Sequence, residues 1–398
     1  MKRSICCPVI FTVILLYGVS DSAIAQRNAS VKGNGKIITR SFSIDEFSAI
    51  ILDGMANVEY TQAPGKSAVE VETDENMMEF MEIYTNKETL VLSLKDQNSN
   101  KWINIKPTKL NIRCQSPSLL TVTKQGSGTF RLVNELKGSK FNLTQQGSGS
   151  FIIHKKLEVN DIRFVMEGSG NLRAQESIAG EKMTLAKNGS GSSHFSGEMN
   201  IQEITITNSG SGNITMEGTI TGRKMAVSKN GSGNFVCVNK IRNENMTISQ
   251  SGGGNTRLGN GITTRTFKSV QSGGGNFTVE GNVNATQITV TKSGSGNYLI
   301  GGFMESGSIH ILQEGSGNCS LKGRFGEGEI VVSGSGNVMA LDATFIKLKC
   351  LINGSGSITA TVTEWLAGTV SGSGKVSYKG NPQIENPALF QKKLVKIG

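Results

Sequence analysis

Chemistry needs carboxylates, imidazoles, thiols or ammonium groups brought within reach of one another, and this chain spreads those groups thinly. Between residues 126 and 380 the only aspartates are Asp161 and Asp342, and the glutamates are scattered. Glycoside-cleaving sites use two carboxylates on one face. Glu167 and Glu314 lie far apart, Glu198 and Glu217 read as a solvated edge, and the close pair Glu327 and Glu329 reads as a polar turn rather than an acid and base. His154, His194 and His310 fall in different segments and cannot share a metal ion. Cys114, Cys237, Cys319 and Cys350 match no zinc spacing, and they read as small buried apolar residues. One pattern remains. Lys124, Gln145, Lys187, Asn208, Lys229, Gln250, Gln271, Lys292 and Gln313 recur at one phase of a fixed period, with Met166 in the same series. As an outward column they form a candidate binding face for acidic or hydroxylated glycans. The competing reading is a soluble face in which no two lysines adjoin, because like charges stacked ~4.8 Å apart repel. No cofactor and no metal are implied.

That period defines the element that must carry these side chains. A small-residue string, Gly-Ser-Gly-Asn in most copies, begins at Gly126 and returns at Gly147, Gly168 and onward to Gly315, each step 21 residues. Looser copies begin at Gly334, Gly354 and Gly372. A fixed beat over so many copies is the signature of a repeat protein. Counting the first glycine as position 1, apolar residues favour positions 5, 7, 11, 16 and 18; Phe277, Val279, Val283, Ile288 and Val290 are one such set. Pairs two apart are strand alternation. Each unit is therefore about three short strands joined by tight turns. Stacked units predict an all-β fold, a right-handed parallel β-helix or solenoid of ~21-residue coils with caps at both ends, the hand following the usual chirality of parallel crossovers. The glycines are expected to supply backbone angles closed to other residues and to let coils approach closely. Asparagines at position 4, such as Asn213, Asn234 and Asn255, are expected to stack as an amide ladder. A phosphate cradle is not expected, since such loops feed a helix and carry a lysine.

The ends differ from the middle. Residues 1–25 read as a secretory signal: "MKR", the apolar "VIFTVILLYGV", then "AIA" before Gln26. Residues 37–125 look like irregular coils and an N-terminal cap. Gly54 and Asn57 imitate the corner, strands fit 67–72, 90–94, 102–105 and 109–113, and "DENMMEFMEIY" suits a short amphipathic helix capped by Asp74. Regular repeats fill 126–380, and 381–398, with Leu389, Phe390 and Leu394, make a C-terminal cap. The formal net charge of +10 favours anionic glycans or envelope surface components as partners, with peripheral membrane contact. Nucleic acid is not expected: aromatics are few and no basic run reaches five residues.

The stretches "FSIDEFSAIILDGMANVEYTQ", "VETDENM" and "ETLVLSL", the recurrent "GSGN" and the closing "GSGKVSYKGNP" resemble the head GIN domain family, over roughly residues 40–385. Its members are exported proteins frequent in Bacteroidota and often labelled as autotransporter adhesins. The resemblance implies a β-helical exported module and brings no catalytic residues. The expected function is a binding or structural module of the cell envelope, adhesin-like and non-enzymatic. The alternative is a polysaccharide lyase or hydrolase on the same scaffold.

Overall fold

The computed structural model describes residues 30–94, 104–385 and 390–398; the signal segment at 1–25, the first half of the strand expected at 102–105, and Leu389 lie outside the described residues. Each regular coil has a three-residue strand and a longer run, for example Phe277–Val279 and Val283–Lys292. The long run turns a side of the coil near Thr286, where its register with Ile262–Gln271 skips one pair. In two neighbouring coils it is split outright, as in Ile220–Thr221 and Lys224–Lys229. Three-sided coils result. In the regular coils each described strand pairs in parallel with its counterpart one coil on, Phe235 with Thr256 and Thr256 with Phe277. The chain is thus a β-solenoid of about 13 turns, and the period read from the corners is the length of one lap.

Positions 5, 7, 11, 16 and 18 point inward as the alternation requires: Ile214, Met216, Ile220, Met225 and Val227 are all buried. One continuous apolar core runs the length of the rod, with aromatic rings stacked between coils at Phe130–Phe151 (5.0 Å), Phe277–Tyr298 (4.8 Å) and Phe325–Phe345 (5.0 Å). The four cysteines are free and buried within it.

Gly54 and Gly126, at the first corners, do take left-handed backbone, but the later corner glycines act by close approach alone. From Gly147 onward none has a positive φ, so the expected need for left-handed backbone is corrected. A Cβ on Gly231 would instead sit inside the carbonyl oxygen of Gly210, one coil below. The asparagine ladder exists, but its bonds run from main chain to side chain. The N–H groups of Asn255, Asn276 and Asn297 donate to Oδ1 of Asn234, Asn255 and Asn276 at 2.8, 2.8 and 2.9 Å. Each asparagine thereby satisfies a corner N–H that has no strand partner. Asn255→Ala is expected to lower the unfolding free energy by about 1 kcal/mol, read from the denaturant midpoint, while Asn255→Asp, which keeps an acceptor oxygen, loses less.

The N-terminal laps combine coil and hairpin. Ala49–Asp53 and Asn57–Gln62 lie directly beneath Thr121–Gln125 and Phe130–Leu132, so the imitation corner is real. Ser127 N donates to Gly54 O at 3.0 Å, and Thr129 N to Asn57 Oδ1 at 3.1 Å. The intervening residues include antiparallel pairs, Ile37–Phe42 with Ala68–Asp74 and Met81–Asn86 with Thr89–Leu94, which close the end of the stack. Where a helix was expected there is a 3-10 turn, Glu75–Phe80, followed by a strand. Asp74 does not cap it. Its buried carboxylate accepts instead from Gly35 N (2.8 Å), Thr108 N (2.7 Å) and Thr108 Oγ1 (2.6 Å). At the other end, Leu394–Lys396 pairs with Val376–Tyr378 and Phe390 is fully buried against the core.

Candidate functional site

The column proposed from the sequence as an outward binding face is inside the solenoid. Lys124, Gln145, Lys187, Asn208, Lys229, Gln250, Gln271, Lys292 and Gln313 are each at most 1 % exposed. The pleat decides this: positions 16, 18 and 20 share a face, so side chains following two apolar inward residues also point inward, whatever their polarity. The residues do form a continuous stack in register, bounded by Leu52 below and Val332 above. Their polar ends find the corners. Lys187 Nζ donates to Gly189 O at 2.9 Å, Lys292 Nζ to Gly294 O at 3.0 Å, and Gln313 Nε2 to Gly315 O and Gly317 O at 3.0 and 2.7 Å. Desolvation by burial lowers the lysine pKa to about 8 at Lys124, Lys187 and Lys229. These side chains serve the turns and cannot meet a macromolecular partner.

An outward-facing cavity lies on the last coils. Gln287, Ser308, Glu327, Lys347, Trp365 and Gln383 are successive register partners and make one outward column. Two residues along the same strands, Thr289, His310, Glu329, Lys349 and Ala367 make a second. Between the columns Ile288, Ile309, Leu348 and Leu366 point into the core. Gly328 stands in that inner row without a side chain, leaving room for the Phe345 ring that a Cβ there would strike. A register break between Phe345 and Lys347 re-aims the strand, as bulges do beside binding sites, and sets Lys347 beside Trp365. The result is a cavity of about 820 Å³, with Trp365 half-buried and Glu364 exposed.

Its charges are arranged in pairs. Glu329 Oε1 lies 3.0 Å from Lys349 Nζ, and its Oε2 lies 3.0 Å from His310 Nδ1. The bond from Lys349, helped by His310, holds the Glu329 carboxyl below the usual carboxylate range. Lys347 and Glu327 approach more loosely, at 3.8 Å. Glu327 and Glu329 are therefore not a polar turn; they sit two apart in the strand Gly323–Val332 and face the cavity together. The histidines stay separate, as spacing required. His154 pairs with Gln175 and His194 with Glu217 in their own parts of the rod. Sequence reasoning missed Trp365, Glu364, Lys347 and Lys349, because the steps of 19, 20 and 18 residues at this end displace them from the regular phase. Glu327 and Lys347, 20 residues apart, were the available signal.

A family model described as "Putative auto-transporter adhesin, head GIN domain" matches residues 46–191, 171–261 and 261–382. No curated protein matches. Among solved structures, the chain is similar to a "Putative lipid binding protein" from Parabacteroides distasonis, at 18% identity over 93% of this chain and 96% of that one, TM-score 0.29. It is also similar to a "putative adhesin" from Parabacteroides merdae (18%, covering 92% and 96%, TM-score 0.24) and another from Bacteroides fragilis (16%, covering 89% and 98%, TM-score 0.28).

Proposed function

The chain belongs to the head GIN domain family, and from that premise we propose that it is an exported, adhesin-like module of the cell envelope that holds a ligand without turning it over. The clamped state of Glu329 carries this reading. Lys349 Nζ and His310 Nδ1, each 3.0 Å from one of its oxygens, hold Glu329 in a fixed position, as suits a group that accepts hydrogen bonds from a bound molecule. The "MKR…AIA" leader supports export, with cleavage near Ala25, and the net charge of +10 supports association with anionic surface components through the rest of the rod. Fractionation of the producing cell combined with surface proteolysis tests the placement. The expected result is a chain that begins at or near Gln26 in an envelope or extracellular fraction. A cytosolic chain with an intact amino terminus would overturn it.

A second reading, a carbohydrate-active enzyme, is favoured by one observation: Glu327, Glu329 and Glu364 share the cavity. It requires oligosaccharide release from a polysaccharide panel, abolished by Glu327→Gln or Glu329→Gln. Binding without any product in the chromatogram removes it.

A further inference from the structure

We propose that the groove on the C-terminal coils is a subsite for an uncharged pyranose glycan, with Trp365 as the platform on which a sugar ring lies. This deepens the binding-module reading and rests on it. A pyranose has one face of C–H bonds and a rim of hydroxyls, so its receptor needs a flat apolar ring beside acceptors and donors rather than a uniform surface. Trp365 supplies the ring. It lies in register between Lys347 and Gln383, each ~4.8 Å away along the stack, with Glu327 one coil further on. The neighbouring column adds Glu329, already oriented by Lys349 and His310, so that an acceptor is fixed before the ligand arrives.

The local charge selects the class of glycan. Three carboxylates, Glu327, Glu329 and Glu364, face two lysines, Lys347 and Lys349, in the cavity, and both lysines are already paired with glutamates. Among the described residues lining the cavity, His310 is likewise paired with Glu329, so none of these cations is left over for a uronate or sulfate, although the chain as a whole is basic. A neutral hydroxylated ligand meets no such mismatch. The outward column from Gln287 to Gln383 spans five coil steps, a track of about 24 Å, long enough for several sugar rings laid along the rod.

The test uses the full-length mature chain. Trp102→Phe leaves Trp365 as the one tryptophan of the two in the sequence, so its fluorescence reports the groove directly. Neutral hexasaccharides of glucose, mannose, galactose and N-acetylglucosamine, and oligouronates of equal length, are titrated against it and checked by calorimetry. Saturable binding of at least one neutral oligosaccharide with a change in Trp365 emission is expected. Trp365→Ala should weaken it at least about 10-fold, and Trp365→Tyr, which keeps an aromatic face, should weaken it less. Unchanged melting of both variants shows that the fold is kept; if Trp365→Ala melts early, the Tyr variant and the emission signal decide. Binding of oligouronates alone, no saccharide binding at all, or equal affinity after Trp365→Ala would each overturn the proposal. An exported chain that holds envelope material yet ignores neutral sugars defeats only this ligand class, whereas a cytosolic location or sugar turnover defeats the module reading itself.

Discussion

Alanine at Gly252 or at Gly254 is expected to cost more than about 3 kcal/mol, while alanine at Gly253, between them, leaves stability within about 0.5 kcal/mol or raises it slightly. The three residues share one corner, "SGGGN", and differ only in what lies beneath them. A Cβ on Gly252 would overlap Gly231 O, and one on Gly254 would overlap Ser232 O. Neither carbonyl can retreat, because the coil below is itself stacked on another. Gly253 has no heavy atom within 4 Å of its would-be Cβ, and none of the three has a positive φ, so its alanine meets no strain. Overpacking ordinarily costs ~1–3 kcal/mol where neighbours can yield; here the neighbour is backbone fixed by the ladder. Urea midpoints of the three variants check the ordering. Equal losses at all three positions would mean that backbone freedom, rather than coil spacing, selects glycine.

The serine found at the middle position of most corners fits the same picture, because that position alone has open space. The period of the repeat, the inward set at positions 5, 7, 11, 16 and 18, and the corner at Gly54 and Asn57 were legible because each depends on spacing along one lap. The position-20 column was misplaced for a definable reason. Lys and Gln were set outside by their polarity, although the alternation of Met225, Val227 and Lys229 already put them on one face; Met166 in the same series was the visible warning. The groove was illegible for another reason. It depends on laps of unequal length and on the bulge before Lys347, so its members share no phase in the sequence. Glu327 and Glu329 could be seen as a pair, but not what stood above them. Likewise the antiparallel closure of the N-terminal end joins Ile37–Phe42 to Ala68–Asp74 across a gap that no repeat predicts.

The inner column makes the second large prediction. Lys124, Lys187 and Lys229 are buried, and among the described residues no carboxylate pairs with them; their bonds go to corner carbonyls such as Gly126 O and Gly189 O. Their neighbours in the stack include Gln145, Asn208 and Gln250, which are neutral amides. Hydrogen bonds to neutral carbonyls offset only part of the desolvation of a charge. Replacing a buried charge by a fitting apolar residue is often stabilising, and Met166 shows that a methionine fits this stack at 2 % exposure. Lys124→Met, Lys187→Met and Lys229→Met together are therefore expected to raise stability at pH 7, by about 1–2 kcal/mol per site, with near additivity because the sites are two or three coils apart.

The pH dependence identifies the cause. These lysines have a pKa of about 8 in the fold against 10.5 when free. Between those values the unfolded chain binds more protons, so their contribution to native stability rises with pH. The buried thiols act oppositely, Cys319 being pushed up to about 12, since the unfolded chain then releases protons first. The wild-type curve alone therefore mixes two slopes. The difference between wild type and the triple methionine variant cancels the thiols and leaves the lysines, so the variant's advantage should be full at pH 7 and shrink steadily toward pH 10. A difference independent of pH would assign the gain to packing, and a less stable variant at pH 7 would show that the bonds to the corner carbonyls outweigh the burial of charge.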